Sequence, residues 1–114
     1  MDNITDIEKS IICTLLTSYN ISDNLYSALM GIDVKDDYFT VEFYKTIIRA
    51  INWLKSNNKC VSDEIVSHYL FLYNKMDENL MIDILTHNCL GIRLFNDYLE
   101  LLKSESKLNA VRDI

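Results

Sequence analysis

Asp36-Asp37-Tyr38-Phe39-Thr40-Val41-Glu42-Phe43-Tyr44-Lys45-Thr46-Ile47-Ile48-Arg49-Ala50-Ile51 is the stretch that decides the fold. An aromatic pair closes a polar connector, and a helix then opens. From about Val41 to Ser56, Tyr44, Ile47, Ile48, Ile51 and Leu54 recur at helical spacing and define one apolar face. That face predicts a central helix, with Phe39, Tyr44 and Ile48 in the core. The acidic pair Asp36-Asp37 is expected to favour the amino end of this helix through its dipole. Ser56-Asn57-Asn58-Lys59 supplies residues that end it.

Upstream, Thr5-Asp6-Ile7-Glu8 fits a capping box, which predicts a first helix from about Asp6 to Tyr19. Its apolar stripe is Ile7, Ile11, Ile12, Leu15 and Leu16. Ser22 is expected to cap a short second helix that reaches Met30, with Gly31 taking the left-handed turn. Downstream, Ser62 caps a fourth helix whose buried side is expected to be Ile65, Val66, Tyr69, Leu70 and Tyr73. Asp77 starts a fifth, with Leu80, Met81, Ile84 and Leu85 inward. Asn88-Cys89-Leu90-Gly91 is a joint, and a last helix runs from about Ile92. The expectation is an all-α bundle of five to six helices in one domain: a helical head over 1–91, and a helix over 92–114 packed on it. That helix reaches Ile114 without a cap or a glycine, the pattern expected of a piece of a longer protein.

Composition narrows the function classes. The 114 residues contain no proline and only two glycines, which disfavours the turn-rich sandwiches and barrels. The formal net charge of −6 gives no cationic footprint for nucleic acid and suits a basic protein partner better. A helix-turn-helix reading would need a cationic recognition helix, and the 62–75 segment offers only His68 and Lys75. Three cysteines at wide spacing, Cys13, Cys60 and Cys89, read as free thiols of a reducing, cytoplasmic compartment. The acidic opening residues lack the basic start of a secretory leader, and no apolar run is long enough for a membrane span.

No phosphate-binding glycine loop, Gly-x-Ser-x-Gly elbow or His-Glu-x-x-His pattern occurs, so no catalytic residue is assigned. His87 and Cys89, with Cys60 and His68, are the best metal candidates, but close ligand pairs such as Cys-x-x-Cys are lacking and no metal is expected. The aromatic cluster Tyr38, Phe39, Phe43, Tyr44 and Trp53 has too few neighbouring cations for a base-stacking platform, and core is the simpler reading.

Four stretches in order resemble the amino-terminal domain of bacterial replicative DNA helicases of the DnaB type. Glu8, Ser10, Ile11, Ile12, Leu15 and Leu16 match that family's Glu-x-Ser-Val-Leu-Gly-x-Leu-Leu opening, with Cys13 at the usual glycine. Phe39 matches its first aromatic. Lys45, Ile47, Ile48, Arg49, Ala50 and Ile51 follow without a gap, with Tyr44 at the usual His or Asn. Val61 and Ser62 answer its Gly-x-Pro-Val-Asp segment, with Pro and Asp replaced. Phe95 to Lys103 resembles its Ile-x-x-Tyr-x-x-Ile-Val-Lys segment, although the Gly-Gly and Pro-containing stretch before it is not seen.

The resemblance implies a non-catalytic helical head that forms a collar on a hexameric ring. Such heads pair with each other and recruit primase or a helicase loader. ATP and Mg are expected only in a separate motor domain, and direct nucleic-acid or membrane contact is not expected of the head. A stand-alone replication adaptor, or a primase-type helicase-interaction domain, is the alternative. The last helix is apolar over more than one face, so Phe95, Tyr98 and Leu102 are assigned to the head and Leu101, Leu108 and Val111 to a self-association or partner surface.

Overall fold

The computed structural model describes the backbone of residues 3–112 and the side chains of residues 3–106. It contains six α-helices: α1 (Ile4–Ile21), α2 (Asp23–Met30), α3 (Glu42–Ser56), α4 (Asp63–Leu72), α5 (Glu78–Leu85) and α6 (Ile92–Arg112). A single 3₁₀ turn, Asp36–Tyr38, interrupts the connector before α3. No strand occurs among the described residues, so the fold is an all-α bundle of six helices.

Local chemistry sets most of the boundaries. The Ser22 Oγ accepts from the Leu25 amide, Ser62 Oγ from Ile65 and Asp77 Oδ1 from Leu80, so α2, α4 and α5 each begin on a side-chain cap. Two helices end on the same device. Asn58 and Asn74 both take a positive φ of 56°. The amides that follow reach back to the last turn, Lys59 N to Leu54 O and Lys75 N to Leu70 O, each at 2.8 Å. These are Schellman closures with asparagine in the left-handed position, which it tolerates better than most residues.

Three expectations about boundaries are corrected. The α1 cap is Asn3, whose Oδ1 accepts from the Asp6 amide at 2.9 Å, and not Thr5; the helix starts at Ile4, before Asp6, and Glu8 is free for another role. Gly31 sits at φ −82°, in the right-handed region, so α2 ends without a left-handed residue. Asp36 and Asp37 do not sit at the mouth of α3. They open their own 3₁₀ turn, and Asp36 accepts from Arg49 Nε at 2.8 Å.

The centre of the bundle is α1 rather than α3. It is in contact with α2, α3, α4, α5 and α6. Its stripe of Ile7, Ile11, Ile12, Leu15 and Leu16 is buried as expected, and so are Glu8, Ser10, Cys13, Thr14 and Ser18. The hydroxyls among these bond locally: Thr14 Oγ1 donates to Ser10 O at 2.7 Å, and Ser18 Oγ to Leu15 O at 3.4 Å. Polar residues can line a core when their donors turn back onto their own helix.

Helix α3 buries Tyr44, Ile47, Ile48, Ala50, Ile51 and Leu54 and contacts α1, α4 and the 3₁₀ turn. Its polar side also holds the connector: Asn52 Nδ2 donates to Val34 O and Lys55 Nζ to Ile32 O, both at 2.9 Å. Partial burial lowers the Lys55 pKa. Trp53 is 47% exposed and lies against Tyr69 of α4, ring centroids 5.6 Å apart, outside the core.

Candidate functional site

The two motif-bearing stretches meet at one buried carboxylate. Glu8 of α1 is fully covered, and its carboxylate accepts from the Thr40 amide at 2.6 Å and from Thr40 Oγ1 at 2.8 Å. Thr40 lies in the turn between Phe39 and α3, and Val41, the α3 cap, makes no side-chain capping bond. Glu8 therefore supports the entrance of α3 from the neighbouring helix. Burial pushes its pKa up, and the two Thr40 hydrogen bonds and the Lys45 charge oppose that rise. Sequence reasoning placed Glu8 in a capping box. A glutamate on the apolar side of α1, beside Ile11 and Ile12, was the available signal for burial.

A second polar set joins α1 to α5 and to the joint before α6. Lys9 Nζ lies 2.7 Å from Asp83 Oδ2 and 3.9 Å from Asp6 Oδ1. Lys9 holds the Asp83 pKa down, and the Asp83 hydrogen bond in turn raises that of Lys9. His87 Nε2 is 3.5 Å from Asp6 Oδ1. The Leu90 amide donates to Thr14 Oγ1 at 2.8 Å, and Leu90 itself is buried. Cys13 Sγ and Cys89 Sγ are 4.0 Å apart. Cys60, in contrast, sits against the Tyr26 hydroxyl at 3.7 Å. Cys60, His68, His87 and Cys89 are thus not gathered, and no group of three potential ligands is found among the described residues.

The remaining features are apolar side chains that face outward. On α6, Phe95, Leu99 and Leu102 are buried and Tyr98 packs partly against the core. Leu94 and Leu101, two turns apart, are 43% and 46% exposed. Phe95, Tyr98 and Leu102 thus pack toward the head as expected, and Leu101 faces outward. Leu108 and Val111 lie outside the residues whose side chains are described. Toward its end the same helix also meets the 3₁₀ turn. Ser106 Oγ donates to Asp37 O at 3.1 Å, and Lys103 Nζ sits 5.9 Å from the centre of the Tyr38 ring.

The second outward surface lies where α4 meets α5. Phe71, Leu72, Tyr73 and Ile82 are each more than half exposed. Ser67, Phe71, Met76, Glu78, Met81 and Ile82 line a shallow cleft of about 180 Å³ between the two helices. This surface went unrecognised in the sequence, where Ile65 and Tyr73 were assigned inward. The structure buries only Val66 and Leu70 of α4, leaves Ile65 38% exposed and covers Tyr69 in part. The signal was present: Tyr69-Leu70-Phe71-Leu72-Tyr73 is apolar on every side, more than one helix face can bury. On α5, Met81 and Ile84 are buried as expected, while Leu80 and Leu85 are only partly covered.

Large contiguous apolar patches on a surface can serve as contact sites for proteins, membranes or ligands. No helix among the described residues is long and apolar enough to cross a membrane. Set against family models, curated proteins and solved structures, the chain matches none.

Proposed function

We propose that this chain is an interaction domain of DNA replication: the amino-terminal collar domain of a DnaB-type replicative helicase, which self-associates and binds primase or a helicase loader. The observation that carries the reading is the joint between Glu8 and Thr40. The resemblance rests on separate stretches, the first in α1 and the second from Phe39 through α3. Their most distinctive members pack as one unit, with Glu8 buried on Thr40, Phe39 beside it in the core, and Ile47, Ile48, Ala50 and Ile51 beneath.

The domain itself works by contact. Its outer α6 face, with Leu94 and Leu101, suits pairing between heads. The α4–α5 cleft offers a separate place for a second protein, so the two contacts need not compete. The formal charge of −6 favours a basic partner surface and disfavours nucleic acid as the direct ligand. ATP and Mg chemistry belongs to the motor domain of the parent helicase, an ATP-dependent enzyme acting in the cytoplasm. The test is titration of the domain with the carboxy-terminal domain of primase from the same genome, followed by calorimetry. The expected result is saturable binding, with no shift of single- or double-stranded DNA at low salt. Tight DNA binding without primase or loader binding would contradict the reading.

A further inference from the structure

We propose that Cys13 and Cys89 form a peroxide-sensitive modification site, a dithiol that closes to a disulfide and ties the root of α6 to α1. The inference is independent of the replication reading. The two sulfurs lie 4.0 Å apart although the residues are separated by 76 positions. They face each other where the α5–α6 joint touches α1, one residue along from the Leu90 amide on Thr14 Oγ1. The hydrogen bonds around them define the resting state. Thr17 Oγ1 donates its proton to Cys13 O at 2.7 Å, so at its 2.9 Å contact with Cys89 Sγ it acts as acceptor. Cys13 Sγ donates to His87 O at 3.3 Å.

The two thiols divide the labour by exposure. Cys13 is buried, and burial together with the neighbouring Cys89 pushes its pKa up to about 12, so it is held in reserve and loses its proton only as it attacks the oxidised Cys89. Cys89 is exposed and meets the oxidant. A hydroperoxide transfers one oxygen to the Cys89 sulfur, giving a sulfenic acid and leaving an alcohol, or water from hydrogen peroxide. The Cys13 sulfur then attacks the Cys89 sulfur. The S–S bond forms, the S–O bond breaks, and the hydroxyl leaves as water with the Cys13 proton. The two sulfurs together lose two electrons, and the peroxide O–O bond takes them up. A disulfide needs the sulfurs about 2 Å closer. Cys89 sits in the loop before α6, the side from which that approach must come.

Cys60 provides the internal control, because its sulfur contacts Tyr26 and neither of the other thiols. The test is to treat the reduced full chain with hydrogen peroxide, map disulfides by peptide mass spectrometry, and melt the product with and without dithiothreitol. The expected product links Cys13 to Cys89 and leaves Cys60 free. Its Tm should rise on the order of 10 °C, because the closed loop is long, and dithiothreitol should reverse the rise. Cys60→Ser should behave as the unchanged chain. Cys89→Ser, at an exposed position, should fold normally and show neither the disulfide nor the shift. Three results would overturn the proposal: a Cys60-containing disulfide as the main product, Cys89 driven to sulfinic acid with Cys13 still free, or the same Tm shift in Cys89→Ser.

Discussion

Helices α1 and α6 are the two longest in the molecule, and the bundle uses them in opposite ways. Helix α1 is buried over most of its girth and touches all five other helices. Helix α6 buries a narrow line of Phe95, Leu99 and Leu102 and turns Leu94 and Leu101 outward. Yet α6 is the helix with more leucine. Leucine count alone therefore does not identify the central element, and α1 draws its apolar surface largely from isoleucine. What separates the two is the company the apolar residues keep. In α1 the remaining positions are small or locally satisfied, Ser10, Cys13, Thr14 and Ser18, and neighbours can close on them from several sides. In α6 they are Arg93, Asn96, Asp97 and Glu100, which stay exposed.

The contrast is broken most easily in the core. Leu16→Ala should destabilise the protein by about 2–5 kcal/mol, and Ile48→Ala by a similar amount, because both sites are fully buried. Leu101→Ala should change stability by less than about 0.5 kcal/mol. Urea denaturation followed by circular dichroism measures all three. Equal losses at Leu16 and Leu101 would erase the distinction between the helices.

A smaller effect is expected where α1 meets α3. Thr40→Val keeps the shape and the backbone amide but removes the hydroxyl that serves Glu8. The loss of a hydrogen bond to a buried charged group should cost roughly 1.5–3 kcal/mol. If the variant is as stable as the parent, Glu8 does not hold the α3 entrance.

The same carboxylate predicts a pH dependence. Its folded pKa is raised from 4.5, so between that value and the folded one the native state binds more protons than the unfolded state. The contribution of Glu8 to stability is full below its ordinary pKa and falls as the pH rises through the folded pKa. Glu8→Gln should remove that fall. The stability difference between the parent and Glu8→Gln, followed from acid to neutral pH, should shift steadily against the parent. A difference that stays constant would mean that Glu8 is not held in a strained ionised state.

Much of this architecture could be read from residue types. Ser22, Ser62 and Asp77 announced their helices because each offers an oxygen to a free amide at the right offset. The α3 stripe was legible because a single face is buried and the other is charged. The outward side of α6 was legible as an excess, since Leu94 and Leu101 cannot share one face with Phe95, Leu99 and Leu102. The rest was hidden for physical reasons. Thr5 and Glu8 satisfied a capping pattern that Asn3, three residues before Asp6, satisfied better. The second buried side of α1 is made of residue types that composition counts as polar. In α4, Asp63, Glu64, Ser67 and His68 mark one polar side, but the apolar side from Ile65 through Val66, Tyr69, Leu70 and Leu72 is wider than its neighbours cover, so Ile65 and Tyr73 were assigned inward and the α4–α5 surface was missed. The joint that brings Cys13 to Cys89 depends on tertiary packing across 76 residues, which no local pattern encodes.

The proposed contact surface on the outer face of α6 contributes little to the core. Sedimentation velocity over a wide concentration range, comparing the parent chain with a Leu94→Lys, Leu101→Lys double variant, tests it most directly. The expected result is concentration-dependent self-association of the parent, its loss in the double variant, and an unchanged helical spectrum and Tm. A parent that stays monomeric at every concentration, a double variant that associates as before, or a melted head would contradict it.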